Sequence, residues 1–148
     1  MTRGKGSACV FCGIVAGEAS AFTVLEDADC LAFLDHRPLF PGHVLLLPRA
    51  HHETLAALPP ELVAPLFANA RRLARAVQEA FKADGSFVAI NNVVSQSVPH
   101  LHVHVVPRRF KDGLFAGRMV WQRHSYGSDD ERRAARDAIL AALERTGH

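Results

Sequence analysis

Three histidines alternate with apolar residues in one run, His100-Leu101-His102-Val103-His104-Val105-Val106, bounded by Pro99 and Pro107. Leu and Val at that density read as a buried or half-buried strand. Side chains on a strand alternate faces, so the imidazoles share one face while Leu101, Val103 and Val105 pack the other. At about 3.3 Å per residue, neighbours on a face stand roughly 6–7 Å apart at Cα, close enough to share one small group or one ion. A core strand must desolvate or pair every ring, which argues against chance alternation. An imidazole can ligate a metal, move a proton or act as a nucleophile. With a pKa of about 6.5 it is mostly neutral at pH 7, and its free nitrogen can attack an electrophile. His102, between two donors, is the natural nucleophile, with His100 and His104 placed to orient it and to hold phosphoryl oxygens. The competing use is a three-histidine metal site, whose usual carboxylate or other outer partner is not close in sequence.

The elements that position this run are legible. Residues 22–26 and 30–34 read as strands joined by a turn at Asp27-Ala28-Asp29, and 43–47 as a third strand entered through Pro41-Gly42. A short helix is expected over about 52–58. Pro59-Pro60-Glu61 opens a longer one, with Leu62, Leu66, Ala70, Leu73, Val77 and Phe81 as its apolar stripe and Asp84-Gly85 as its end. Residues 87–90 give a fourth strand, and the loop to the histidine strand is short enough for antiparallel pairing. Ser128 and Glu131 form a capping box for a last helix to about residue 144. The expected class is α+β: an antiparallel five-stranded sheet with a long central helix and a C-terminal helix. Residues 1–8 read as a flexible polar tail and 9–148 as a single domain.

Composition narrows the partners. A net charge of +2 in 148 residues gives no bulk argument for nucleic acid or membrane surfaces. The pairs Arg71-Arg72 and Arg108-Arg109 read as solvated faces. No apolar run approaches the ~20 residues that span a bilayer. Arg3, Lys5 and the stretch from Ala8 to Val15 faintly mimic a signal peptide, and Ala19-Ser20-Ala21 a cleavage site, but Gly13, Gly17 and Glu18 interrupt the pattern. Three cysteines are too few for a secreted disulfide framework, so a reducing cytoplasm is expected.

The run from His100 to Val106 matches the His-φ-His-φ-His-φ-φ signature of the histidine-triad (HIT) superfamily, where φ is apolar. Leu34-Asp35-His36-Arg37-Pro38, then Pro41-Gly42-His43 through Arg49-Ala50-His51, resembles that family's segment before its first helix. Ser95-Gln96-Ser97-Val98-Pro99 resembles its loop into the triad, and the likeness extends from Cys9 to about Arg109. It implies a nucleotide hydrolase or transferase acting at the α-phosphate of a nucleoside phosphoramidate or dinucleoside polyphosphate. By that likeness His102 forms a covalent nucleotidyl intermediate and a nucleoside monophosphate is released. His104 would contact phosphate oxygens and His100 would support the network. Ser97 and Gln96 would contact the phosphate or leaving group. Asp35 would accept bonds from the ribose hydroxyls, and Asn91 or Asn92 would lie on the phosphate side. The loop departs from the family form in being shorter, with Val94-Ser95 before Gln96 where glycine is usual. A homodimer is implied by the resemblance; the sequence itself offers only a suitable long amphipathic helix.

A lone Cys9-x-x-Cys12 is half a zinc site, a redox pair or two packed small hydrophobes, and no thioredoxin-like unit supports the redox use. Similar HIT proteins bind zinc through such a pair, which implies a structural Cys2His2 site of Cys9, Cys12, His51 and His100, with His52 the alternative to His51. Cys30 is expected in the core. His36, His43, His124 and His148 have no spacing that assigns a role, beyond a hydrogen bond within the fold for His43. Phe11, Ile14, Phe33 and Leu34 could form an apolar slot open to any purine; adenine follows only from the resemblance. Trp121 is expected to pack, or to cap the site or a dimer interface. Two other readings stay open: a nucleotide-binding sensor or scaffold with little turnover, and a hydrolase whose zinc sits on the triad itself.

Overall fold

Asp27 turns the chain at the start of the sheet. Its Oδ1 accepts the N–H groups of Asp29 and Cys30 at 2.9 and 2.8 Å, joining β1 (Thr23–Glu26) to β2 (Cys30–Leu34). Gly42 then makes the entry to β3 (Val44–Pro48) with φ of 96°, where any Cβ would run into the Phe81 ring. The remaining elements are α1 (Val10–Val15), α2 (Pro60–Ala80), β4 (Gly85–Ile90), β5 (Val103–Arg108) and α3 (Asp129–Thr146). This computed structural model describes residues 9–116 and 122–147. The expected tail 1–8 and Trp121 lie outside the described residues.

The five strands form one antiparallel sheet in the order β1-β2-β3-β5-β4, the class the patterning predicts. Cys30, Ala32 and Leu34 of β2, Leu46 of β3, and Leu101, Val103 and Val105 pack against α2 and α3. Leu46, Leu66, Leu73 and Val103 are fully buried there, each worth about 2–3 kcal/mol by area. The alternate residues Leu31, Phe33, Leu45 and Leu47 face the other side and pack with Phe11 of α1. Leu34 therefore belongs to the helix-covered face and cannot line a slot with Phe33, because adjacent strand residues point oppositely.

Three local expectations are corrected. Residues 52–58 form turns, not a helix. The Leu55 N–H is taken by Asn92 Oδ1 at 2.7 Å, and Pro59-Pro60 restrict the residues before them. The strand of the histidine run begins at Val103, the last residue of the ladder, paired with Leu46 and Ile90. Upstream of it the Leu101 N–H donates to His52 O at 2.7 Å, so 100–102 continue the alternation outside the sheet. The helix α1 was not expected; at six residues it cannot stand alone and is held by Phe11 against Phe33, ring centroids 5.5 Å apart. The C-terminal helix has its Ser128 cap, with Oγ accepting the Glu131 N–H at 3.2 Å, but the Glu131 carboxylate reaches back to Gly127 N.

Candidate active site and metal cluster

Backbone partners fix the protonated nitrogen of each ring. His102 Nδ1 lies 2.7 Å from the carbonyl of His100, which can only accept, so Nδ1 carries the proton and Nε2 keeps its lone pair. The Leu39 N–H donates to His43 Nδ1 at 3.0 Å. His43 therefore donates through Nε2 to His104 Nδ1 at 2.9 Å, and the proton of His104 sits on Nε2. His100 donates through Nε2 to Pro48 O at 2.8 Å, leaving Nδ1 as a lone pair. The triad thus presents a nucleophilic nitrogen on His102 beside an N–H donor on His104, ring centroids 5.0 Å apart. Phe11 meets His102 edge to face at 5.1 Å and walls one side. Sequence spacing gave His43 no assigned role; its buried link to His104 joins residues 61 positions apart.

Burial holds these rings neutral. It pushes His43 and His104 down to about 3, assisted by the charge of Arg123 for His43 and by His43 for His104. His100 falls to about 4 and His102 is also lowered, both chiefly by burial. Unfolded rings titrate near 6.5, so between the two values the unfolded chain holds more protons and stability rises with pH. The contribution is whole above about 6.5 and is lost as pH falls toward the folded value, by up to about 1.4 kcal/mol per pH unit for each ring. Melting temperature should therefore drop steadily from pH 7.5 to 5; a flat profile would contradict the buried neutral rings.

Around the triad, Asp35 is 4% exposed. Its Oδ1 accepts the Arg37 N–H at 3.0 Å, and its Oδ2 lies 2.5 Å from Arg123 Nη1 and 3.7 Å from His43 Nε2. Of the two asparagines, Asn92 uses its Oδ1 on Leu55 N. Ala89 pairs with His104 in the ladder, so period two puts Asn91 on the histidine face. Gln96 ties its own loop, donating to Glu53 O at 2.6 Å and accepting from Val93 N at 3.1 Å. Ser97 is exposed beside it. Ser95, where glycine is usual, has φ of 62°, and Val93 has 65°. The left-handed region favours glycine there, which gives that preference a backbone reason.

A second cluster stands next to the first. The ligand atoms of Cys9, Cys12, His51 and His100 lie within 4.8 Å of one another; His52 is not among them. Cys9 Sγ is 3.5 Å and Cys12 Sγ 3.6 Å from His100 Nδ1, and Cys12 Sγ is 3.2 Å from His51 Nδ1. A tetrahedral zinc with ordinary bond lengths requires sulfur–nitrogen edges of about 3.5 Å, so two thiols and two imidazoles fit it. Burial and the neighbouring Cys9 push the Cys12 thiol up to about 11, the charge a bound cation would offset. The triad rings do not themselves form such a group among the described residues. Asp35, His43 and His104 do converge, but both His43 nitrogens already serve Leu39 and His104.

Comparisons with known proteins bear on the family and the fold. A HIT-domain family model matches residues 16–111. The chain is 36% identical over 125 residues to the adenylylsulfatase HINT3 of Arabidopsis thaliana, covering 83% of this chain and 63% of that protein. It is 37% identical over 114 residues to the adenosine 5′-monophosphoramidase HNT1 of Saccharomyces cerevisiae, covering 75% and 70%. The zinc-bound histidine triad family protein of Mycobacterium smegmatis superposes with a TM-score of 0.80 at 39% identity, covering 94% of this chain and 95% of that one.

Proposed function

The chain belongs to the HIT family, and we propose that it is a nucleotide hydrolase or transferase acting at the α-phosphate of a nucleoside phosphoramidate or dinucleoside polyphosphate. One observation carries the reading: the His102 Nδ1 bond to the His100 carbonyl, which leaves Nε2 free to attack. The Nε2–phosphorus bond forms as the bond to the leaving group breaks, giving a nucleotidyl-imidazole. Water then attacks the same phosphorus, His102 departs, and the nucleoside monophosphate is released. His104 Nε2–H stabilises the oxygen on which charge develops, with Asn91 on the same face. Ser97 and Gln96 border the leaving group, Asp35 accepts from the ribose, and Phe11, Ile14 and Phe33 face a purine. HINT3 and HNT1 are named for two different leaving groups on adenylate, which supports the α-phosphate as the common feature.

Cys9, Cys12, His51 and His100 would hold a structural zinc, as the donor set and the zinc-bound relative support. Zinc with four protein ligands has no open position, so its chemistry is to pin α1 to the sheet. A homodimer fits an open edge at β4 with Val88 exposed. No described helix is long and apolar enough to cross a membrane, and a cytoplasmic site would keep both thiols reduced.

The test is release of AMP from an adenosine phosphoramidate and from diadenosine polyphosphates, with rapid quench and peptide mass analysis. A nucleotidyl adduct on the peptide containing His102 is expected. AMP binding without turnover or adduct would replace this reading with the sensor or scaffold. His43→Ala removes the donor to His104 Nδ1 and frees the wrong tautomer; kcat should fall by roughly a hundredfold or more while KM changes little. Equal kcat in the variant would show that His104 does not depend on His43.

A further inference from the structure

We propose that Arg123 is an internal competitor for the sugar: it occupies Asp35 in the free protein, and the ribose diol of a bound nucleotide must displace it. This rests on the nucleotide reading above and adds a residue that the triad chemistry does not use. Arg123 Nη1 donates both to Asp35 Oδ2 at 2.5 Å and to Arg37 O at 2.8 Å, bridging the carboxylate and its loop. Oδ1 is held by the Arg37 backbone, so Oδ2 is the oxygen a ligand must win from the guanidinium.

The segment carrying Arg123 is fixed independently of that ion pair. The His124 N–H donates to Pro38 O at 2.8 Å, and the His124 ring stacks on Phe40 at 6.2 Å with an 18° interplanar angle. Two residues later the Tyr126 hydroxyl accepts the Gly42 N–H at 2.9 Å. The strap from 124 to 126 therefore lies along 38–42, and the guanidinium is tethered at high local concentration beside Asp35. The two partners differ in freedom. The Asp35 side chain is 6% exposed, whereas that of Arg123 is 27% exposed, so solvent already reaches the partner that must give way. A diol, which offers two hydroxyl donors, can replace the guanidinium; a sugar without hydroxyls cannot, and leaves the pair intact. Arg123 thus weakens ribonucleotide binding selectively, which favours departure of a nucleoside monophosphate product.

The experiment compares adenosine 5′-monophosphate with its 2′,3′-dideoxy analogue by calorimetry on the full chain, in wild type, Arg123→Gln and Arg123→Lys. Arg123→Gln should bind AMP about tenfold more tightly, the size of one partly exposed charge-assisted contact, with dideoxy-AMP unchanged. Arg123→Lys, which keeps the charge, should stay near wild type. Weaker AMP binding in Arg123→Gln overturns the proposal, because Arg123 would then hold the nucleotide. Parallel shifts for both ligands overturn it too, since that is an effect on the shared phosphate. Wild type that binds neither nucleotide fails the nucleotide reading itself, an outcome distinct from the other two.

Discussion

Replacing His102 with Ala or Asn is expected to lower the proposed nucleotide turnover by about 10⁴-fold or more, the scale on which a lost nucleophile is felt. The two variants separate chemistry from folding. His102 is 2% exposed and its Nδ1–H satisfies the His100 carbonyl, so Ala opens a cavity and leaves that oxygen without its donor. Asn can keep the bond through its side-chain amide but carries no nucleophilic nitrogen. Both should be inactive, with Asn melting nearer to wild type. His104 offers a contrasting control. Its proposed role is an Nε2–H donor, so His104→Ala should lose about 10²–10³ in kcat, whereas Gln, whose amide can reach a similar position, should lose less. Undiminished turnover in His102→Asn would remove the covalent mechanism. The acid limb of the wild-type rate profile should lie below 6.5, since burial lowers the His102 pKa and the ring must be neutral to attack.

Cys12→Ala is expected to abolish stoichiometric zinc and to lower the melting temperature by about 10 °C, the effect of losing a ligand present at roughly a thousand times its dissociation constant. The reason lies in α1. Six residues are too few to hold a helix, and its anchors are Phe11 on Phe33 and the cluster of Cys9 and Cys12 with His51 and His100. The same helix carries Phe11 and Ile14, the proposed wall of the purine slot, so loss of the metal should also weaken AMP binding. Cys30→Ala is the control: Cys30 is 1% exposed in the helix-side core, and its removal should cost some stability without changing metal content. Protein prepared in zinc-replete medium with no bound metal, or Cys12→Ala that retains it, would refute the site. Chelation should reproduce the variant's melting shift, a readout independent of turnover.

Local patterns made much of the fold legible. Period two divided Leu101, Val103 and Val105 from the three rings, and the structure packs those residues against α2. The apolar stripe from Leu62 to Val77 identified α2, and Ser128 marked the start of α3. Each signal involves neighbours a few residues apart, so covalent geometry alone carries it. It failed where tertiary partners outcompete local preference: at 52–58, where Asn92 takes a backbone donor, and at α1, which exists only against the sheet.

The residue types at the candidate site were likewise readable, and their assembly was not. The tautomers depend on the carbonyl of His100 and on Pro48 and Leu39, the last two far from the triad in sequence. The inclusion of His51 rather than His52, the use of Asn92 on the 52–58 turn, and the opposite faces of Phe33 and Leu34 depend on how loops and strands pack. Arg123 meets Asp35 across 88 positions, a separation that no motif spans. Side-chain periodicity is a property of the chain and survives in any sequence reading. Hydrogen bonds and ion pairs are directional and short-ranged, so their partners are decided only when distant segments are brought within about 3 Å of each other.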